Sequence, residues 1–145
     1  MRIIVFSDSH GDPESMQKVM KRFYPDTAIY LGDGMDDFVS LESCFPHTKF
    51  YNVRGNFDDY GDPVRLQIFE NVPIYMTHIK QCIHPDAKIV LYGDTHVPAL
   101  YVNNGITYMN PGSICKDYGF RTFGLIDVFE GEYTCEMKFF DSLVL

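Results

Sequence analysis

Long apolar runs are missing from this sequence. Its apolar stretches mostly stop short of ten residues, well below the roughly eighteen that a membrane-crossing helix needs, so none of them reads as a span and no membrane partner is expected. Basic charge is scarce as well. Twelve Lys and Arg stand against 20 Asp and Glu, a formal net charge of −8, which argues against a phosphate-neutralising grip on duplex nucleic acid. The four cysteines, Cys44, Cys82, Cys115 and Cys135, lie far apart with no CxxC pair. That spacing removes a zinc knuckle and a thioredoxin-type motif and leaves reduced thiols as the expectation. The N-terminus has one Arg, a few apolar residues and then acid, unlike a secretory leader, so a cytoplasmic location is expected. No repeat, low-complexity tract or Gly/Ser linker interrupts the 145 residues, a length that suits one well-cored domain, 1–145.

What the chain does contain is a series of short apolar runs bounded by turn signals. Arg2 to Ser7 is apolar nearly throughout, as a strand buried on both faces would be, and Thr27 to Leu31 and Lys88 to Tyr92 read the same way. Between the first two runs Met16, Val19, Met20 and Phe23 recur at helical spacing, with Asp12 placed to cap and Pro13 in the first turn. Strand, helix and strand in such close succession predict a parallel βαβ unit. Beyond residue 98 hairpin signals take over, at Asn104-Gly105 in ALYVNNGITYMN and at Glu130-Gly131 in FGLIDVFEGEYTCEMKFF. The fold class is therefore α/β passing into mixed α+β, with two packed mixed β-sheets and helices on the outside.

Chemistry collects where the strands end. Those ends read Ser7-Asp8-Ser9-His10, Leu31-Gly32-Asp33, Val53-Arg54-Gly55-Asn56, Met76-Thr77-His78 and Tyr92-Gly93-Asp94-Thr95-His96, and in open α/β sheets ligands bind beyond the C-terminal ends of parallel strands. If the backbone stays extended, residues two apart face the same way, so Asp8 with His10 and Asp94 with His96 form two-toothed metal clamps. A lone Asp-x-His carries little weight, since Asp caps helices and His bonds backbone carbonyls. The ordered series of five strand ends is what points to a site.

In that order the motifs resemble those of the calcineurin-like metallophosphoesterases, whose pattern runs D-x-H, G-D-x-x-D or G-D, G-N-x-[DE], a strand-end His, and G-H-x-H. SDSHGD, YLGDGMDD, VRGNFDD, MTHIK, YGDTH and the following MNPGS match in order over residues 6–113. The short length and the NPGS are similar to the small stand-alone branch of YfcE-type phosphodiesterases. The resemblance implies a four-layer sandwich of two mixed sheets flanked by helices, and a centre of two divalent metal ions. Asp8, His10 and His96 would hold one ion, and Asp33 would bridge to a second held by Asn56, His78 and Asp94. Asp33, Asn56, His78 and His96 become the catalytic set. Oxygen and nitrogen donors without thiolate suit Mn²⁺ first, with Ni²⁺, Fe, Zn²⁺ and Mg²⁺ as alternatives. Two such ions can polarise a phosphoryl oxygen and lower the pKa of water for in-line attack.

Departures from the pattern mark this chain. G-H-x-H reads Gly93-Asp94-Thr95-His96, a carboxylate for an imidazole, and the branch's T-H-G-H reads Thr77-His78-Ile79-Lys80. Lys80 is read either as offsetting Asp94 or meeting the substrate, or as solvent-exposed. Arg54, Asn56 and Lys80 are the candidate substrate contacts, with Arg121 a further anion contact. Only QCIHPDA intervenes where relatives carry a helix, so a shorter rim is expected, and Phe57 stands where the large phosphoprotein phosphatases place a His. His47, His84, Asp36, Asp37 and Asp59 read as solvated charges, and Asp58 as either an orienting partner of Asn56 or a turn cap. Tyr and Phe are read mainly as core. The expected function is a two-metal phosphodiesterase acting on a small phosphodiester or nucleotide, with a phosphomonoesterase and a protein-interaction scaffold of the same fold, as in the retromer scaffold subunit, as alternatives. A homo-oligomer is left open.

Overall fold

The computed structural model describes residues 1–80 and 86–143. In chain order the strands are β1 (Arg2–Phe6), β2 (Thr27–Tyr30), β3 (Lys49–Asn52), β4 (Val64–Phe69), β5 (Val72–Thr77), β6 (Ile89–Leu91), β7 (Ala99–Asn103), β8 (Ile106–Asn110), β9 (Thr122–Phe129) and β10 (Glu132–Phe139). Helix α1 (Pro13–Phe23) links β1 to β2, and the short α2 (Met35–Val39) follows β2. Two five-stranded sheets result, ordered β10-β9-β1-β2-β3 and β4-β5-β6-β8-β7. In each sheet three strands run parallel, β1-β2-β3 and β5-β6-β8. The remaining pairings are antiparallel.

Burial explains why the first strand reads as a continuous apolar run. Ile3 and Val5 point into the layer between the sheets, where they meet Ile29, Leu31 and Ile126 from their own sheet and Ile74, Met76, Ile89, Leu91 and Met109 from the other. Ile4 and Phe6 point the opposite way, against Met16, Val19 and Met20 of α1 and Met35 and Phe38 of α2. A strand covered on both faces has no solvent side to mark with polar residues. The helical layers are unequal: both helices lie on the first sheet, while the outer face of the second carries Tyr75, Val90, Tyr92 and Tyr108, packed with Tyr101 and Ile106. No helix covers that face among the described residues, and the segment 81–85, with Cys82 and His84 and the expected short rim, lies outside them.

Both expected hairpins are present. The turns Asn104-Gly105 and Glu130-Gly131 have positive φ at both central positions, 51° and 77° in the first and 47° and 88° in the second, as tight two-residue turns between right-twisted strands require. A third, between β4 and β5, uses Glu70-Asn71 at 47° and 66°. It has no glycine, and only the tolerance of Asn for left-handed backbone marks it. The C-terminal half is less uniformly antiparallel than the hairpins suggest, because β8 also pairs in parallel with β6.

Helix α1 starts where Asp12 caps it. The carboxylate accepts from Ser15 N at 3.1 Å, Ser15 Oγ at 2.7 Å and Lys116 N at 3.0 Å, so it also pins the loop that follows β8. Burial alone would raise its pKa, but the Ser15 and Lys116 hydrogen bonds outweigh that and hold the carboxyl below its ordinary value. A depressed folded pKa adds stability above the unfolded carboxylate range that is lost as pH falls through the folded pKa. Asp12→Ala should therefore cost about 1–2 kcal/mol in urea unfolding at neutral pH, and the gap from the parent should close in acid.

Candidate metal centre

Every parallel strand of both sheets points its C-terminal end at the same edge of the sandwich, and the chemistry-bearing residues begin one to four positions beyond. The backbone there is not extended. Asp8, His10, Asp33, Asp94 and His96 all take positive φ, at 54°, 40°, 64°, 69° and 62°, a region that costs a non-glycine residue roughly 1–3 kcal/mol and gathers at functional sites. Of the two expected clamps only Asp8 and His10 come together, at 3.5 Å and through left-handed kinks rather than strand pleat, while Asp94 meets His78 and His96 meets Asp8.

Backbone contacts hold these kinks in place. Asp58 accepts from four main-chain amides, Asp33 N at 2.7 Å, Gly34 N at 3.1 Å, Met35 N at 2.9 Å and Gly55 N at 2.8 Å. Burial pushes its carboxyl upward, yet the amides of Gly55, Met35, Gly34 and Asp33 together leave its pKa below the ordinary value. Asp58 thus takes the turn-cap role and ties the loop after β2 to the loop after β3. Those loops touch so closely that a Cβ on Gly32, itself at φ 107°, would lie 2.4 Å from Gly55 N. On the other side Asn110 Nδ2 donates to Gly93 O and Thr95 Oγ1, and Ser113 Oγ donates to Asp8 O at 2.7 Å.

Two groups of ligand-type atoms converge on this frame: Asp8, His10 and His96, and Asp8, Asp33 and His78. In the first, Asp8 Oδ1 lies 3.5 Å from His10 Nε2 and 3.3 Å from His96 Nε2, and the two nitrogens are 3.3 Å apart. A triangle with such edges is what three ligands about 2.1 Å from one ion subtend. In the second, His78 Nε2 is 3.0 Å from Asp33 Oδ2 and 3.4 Å from Asp94 Oδ1. Asp8 is the carboxylate common to both groups, where the resemblance implied Asp33.

The residues fit a cation. Asp8 and Asp33 are almost fully buried, and among the described residues their ion-pair partners are imidazoles alone. Asp8 Oδ1 and His78 Nε2 are buried without a hydrogen-bond partner, in a protein interior where such atoms are nearly always satisfied. His78 Nδ1 lies 2.6 Å from Leu31 O, so that nitrogen carries the proton and the Nε2 lone pair faces two carboxylates. A cation held between them would pair all three groups at once. Asn56 lies at the edge of the second group, its Nδ2 donating to Asp94 Oδ1 at 3.0 Å. As a ligand it would turn its amide oxygen inward.

The other candidate residues separate clearly. Arg54 shares a cavity of about 230 Å³ with Asn56, His78 and Ile79, beside the second group. Lys80 places its ammonium over the rings of Tyr101, Tyr108 and Tyr92, 5.0, 5.6 and 5.7 Å from their centroids, on the tyrosine face of the second sheet. Arg121 is committed elsewhere, stacked 3.7 Å over Phe140 and bonded to Asp141 and Ser15. Asp37 accepts from Ser9 Oγ and Gly11 N, Asp36 accepts from Tyr60, and His47 is exposed. A second cavity of about 300 Å³ opens beside His10 and Asp33, walled by Phe57, Tyr60 and the acids Asp36, Asp37 and Asp59. Tyr118, read from sequence as one more core aromatic, is half exposed and packs on both His10 and His96. Nothing in the spacing of a loop residue could have marked it.

The chain is similar to known proteins in sequence and in fold. Residues 1–131 match the calcineurin-like phosphoesterase superfamily domain. The probable metallophosphoesterase YsnB of Bacillus subtilis is 31% identical over 133 residues, covering 79% of this chain and 75% of that protein. An archaeal phosphodiesterase superposes with a TM-score of 0.76 at 19% identity, over 95% of this chain and 100% of its own. A Vps29 from Entamoeba histolytica, solved with Zn²⁺, gives 0.73 at 20% identity over 97% and 99%. At those identities the two structures show a shared fold.

Crowded acid makes the site sensitive to charge. Without metal the Asp94 carboxylate adds repulsion beside Asp8 and Asp33, and Asn tolerates the same left-handed backbone. Asp94→Asn should raise the metal-free chain's stability by about 0.5 kcal/mol, and excess Mn²⁺ should reverse the order of the two melting temperatures in calorimetry.

Proposed function

The chain belongs to the calcineurin-like phosphoesterase superfamily, metal-dependent hydrolases of phosphoric esters, and from that premise we propose that it is a phosphodiesterase acting on a small diester with two Mn²⁺ ions. The observation that carries this reading is the pair of overlapping ligand groups with two orphaned buried atoms, Asp8 Oδ1 and His78 Nε2, at their centre. Asp8, His10 and His96 would hold one ion, and Asp33, His78, Asn56 and Asp94 the second, with Asp8 or Asp33 shared. Bound there, the ions supply Lewis-acid polarisation of the phosphoryl group and make water more acidic.

The chain's own residues set the preference for diesters. Asp36, Asp37, Asp58 and Asp59 line the cleft beside the centre, and none of them is ion-paired with Lys or Arg among the described residues. A dianionic monoester meets about twice the repulsion there that a monoanionic diester does. Arg54, in the cavity beside Asn56, is the cation placed to meet the ester's remaining charge. Phe57, 81% exposed at the mouth, offers no proton to a departing alkoxide, so esters with acidic leaving groups should react fastest. The likeness to Vps29 suits a protein-interaction scaffold as well, but a scaffold has no need of seven ligand-type residues kept together, five of them in left-handed strain.

Calorimetric titration should show two Mn²⁺ bound per chain and a higher melting temperature with metal; no binding and no shift would favour the scaffold. At saturating Mn²⁺, Asp33→Asn should lower hydrolysis of an aryl diester more than about 100-fold while His47→Ala leaves it unchanged. Equal rates in the two variants would refute the ligand assignment.

Asp94 should set the metal preference. Three carboxylates leave two divalent ions less net positive than a His at 94 would, and oxygen donors favour harder ions. Asp94→His should keep activity, move the pH optimum downward and raise Zn²⁺ and Ni²⁺ affinity relative to Mn²⁺. An unchanged pH-rate profile and metal ranking would remove Asp94 from the centre.

A further inference from the structure

The three histidines of the centre are fixed in different ways. His78 is almost fully buried, and its Nδ1 donates to Leu31 O, the kind of hydrogen bond that orients a metal-binding imidazole. His10 and His96 are more open, with side chains 21% and 28% exposed, and among the described residues neither has a hydrogen bond to Nδ1. Their Nε2 atoms nevertheless converge at 3.3 Å with Asp8 Oδ1. Something other than a hydrogen bond must restrain the two rings.

Tyr118 lies where that restraint is needed. Its ring packs edge-on against His96, centroids 4.8 Å apart at 67°, and against His10 at 5.2 Å and 62°, while the two imidazoles are 5.1 Å apart. Such tilted contacts are the favoured geometry for aromatic pairs. The loop that carries Tyr118 is joined to the residues on either side of His10. Ile114 N donates to Ser7 O, Ser113 Oγ to Asp8 O, and Lys116 N to Asp12 Oδ2, and Tyr118 N closes the turn onto Cys115 O. One rigid connection thus runs from the end of β1 through the loop and back onto the ring of His10.

We infer that Tyr118 is a positioning residue, its ring holding His10 and His96 so that their Nε2 atoms meet Asp8 at one ion. The inference rests on the metal-centre reading above. The ring does this work and the hydroxyl does not, so Tyr118→Phe should keep the function and Tyr118→Leu should lose it.

The test is titration of the full chain with Mn²⁺, together with ¹³C relaxation of the imidazole rings in the metal-free protein. Tyr118→Phe should bind both ions as the parent does. Tyr118→Leu should weaken one site about tenfold and spare the other, with an unchanged melting temperature without metal and faster ring motion at His10 and His96 but not at His78. Parent-like binding and parent-like ring order in Tyr118→Leu would overturn the inference, as would an equal loss in Tyr118→Phe. Should the parent bind no Mn²⁺, the phosphoesterase reading falls, and ring order alone decides: rings as rigid in Tyr118→Leu as in the parent overturn the positioning role, and selective loosening of His10 and His96 upholds it.

Discussion

Left-handed backbone at the strand ends is the constraint on which the site depends. Asp8, His10, Asp33, Asp94 and His96 each hold a conformation that side chains avoid, and several of them also carry charge toward the same small volume. Neither cost is offset locally. Asp58, with four amides on one carboxylate, Asn110, and Ser113 at Asp8 O are what keep these turns from relaxing. The convergence of the ligands depends on these internal hydrogen bonds, and the close approach of Gly32 to Gly55 holds the two central loops at one spacing.

Packing of the two sheets then brings the ends together. Ile3, Val5, Ile29 and Leu31 interleave with Ile74, Met76, Ile89 and Leu91, so the C-terminal edges of β1, β2 and β3 stand beside those of β5 and β6. Each sheet supplies what the other lacks. The first contributes Asp8, His10, Asp33 and Asn56, and the second contributes His78, Asp94 and His96. A metal centre built this way crosses the hydrophobic interface, so binding an ion draws together elements far apart in sequence and links metal affinity to the stability of the whole sandwich.

Much of this was legible in the chain, for identifiable reasons. β1 read as a doubly covered strand because both its faces are buried, and α1 because Asp12, Pro13 and the Met16, Val19, Met20 stripe all agree. The ligand-type residues could be named because strand ends collect chemistry. The geometry that unites them was not legible, since positive φ at an Asp or His leaves no compositional mark of the kind glycine leaves. Lys80 shows the same limit: its position after His78 suggested the site, while three tyrosines contributed by β7, β8 and the end of β6 claim its ammonium. Those partners are brought near only by the sheet order. The β4–β5 hairpin escaped because Glu70-Asn71 lacks the usual glycine.

The centre is asymmetric, and the asymmetry follows from burial. On the inner side His78, with a side chain 4% exposed, and Asp33 sit under the inter-sheet core, where a displaced polar atom would have no water to satisfy it. A hydrogen bond from His78 Nδ1 to Leu31 O and one from the Phe57 amide to Asp33 Oδ1 therefore fix them. On the outer side His10 borders the open cleft and His96 is 28% exposed beside it, and aromatic rings do the fixing. Ring packing depends less on direction than a hydrogen bond does, so the outer side can adjust to a ligand with little loss of contact while the inner side cannot. An ion held on the inner side is thus anchored to the fold, and one held by Asp8, His10 and His96 faces whatever enters from solvent.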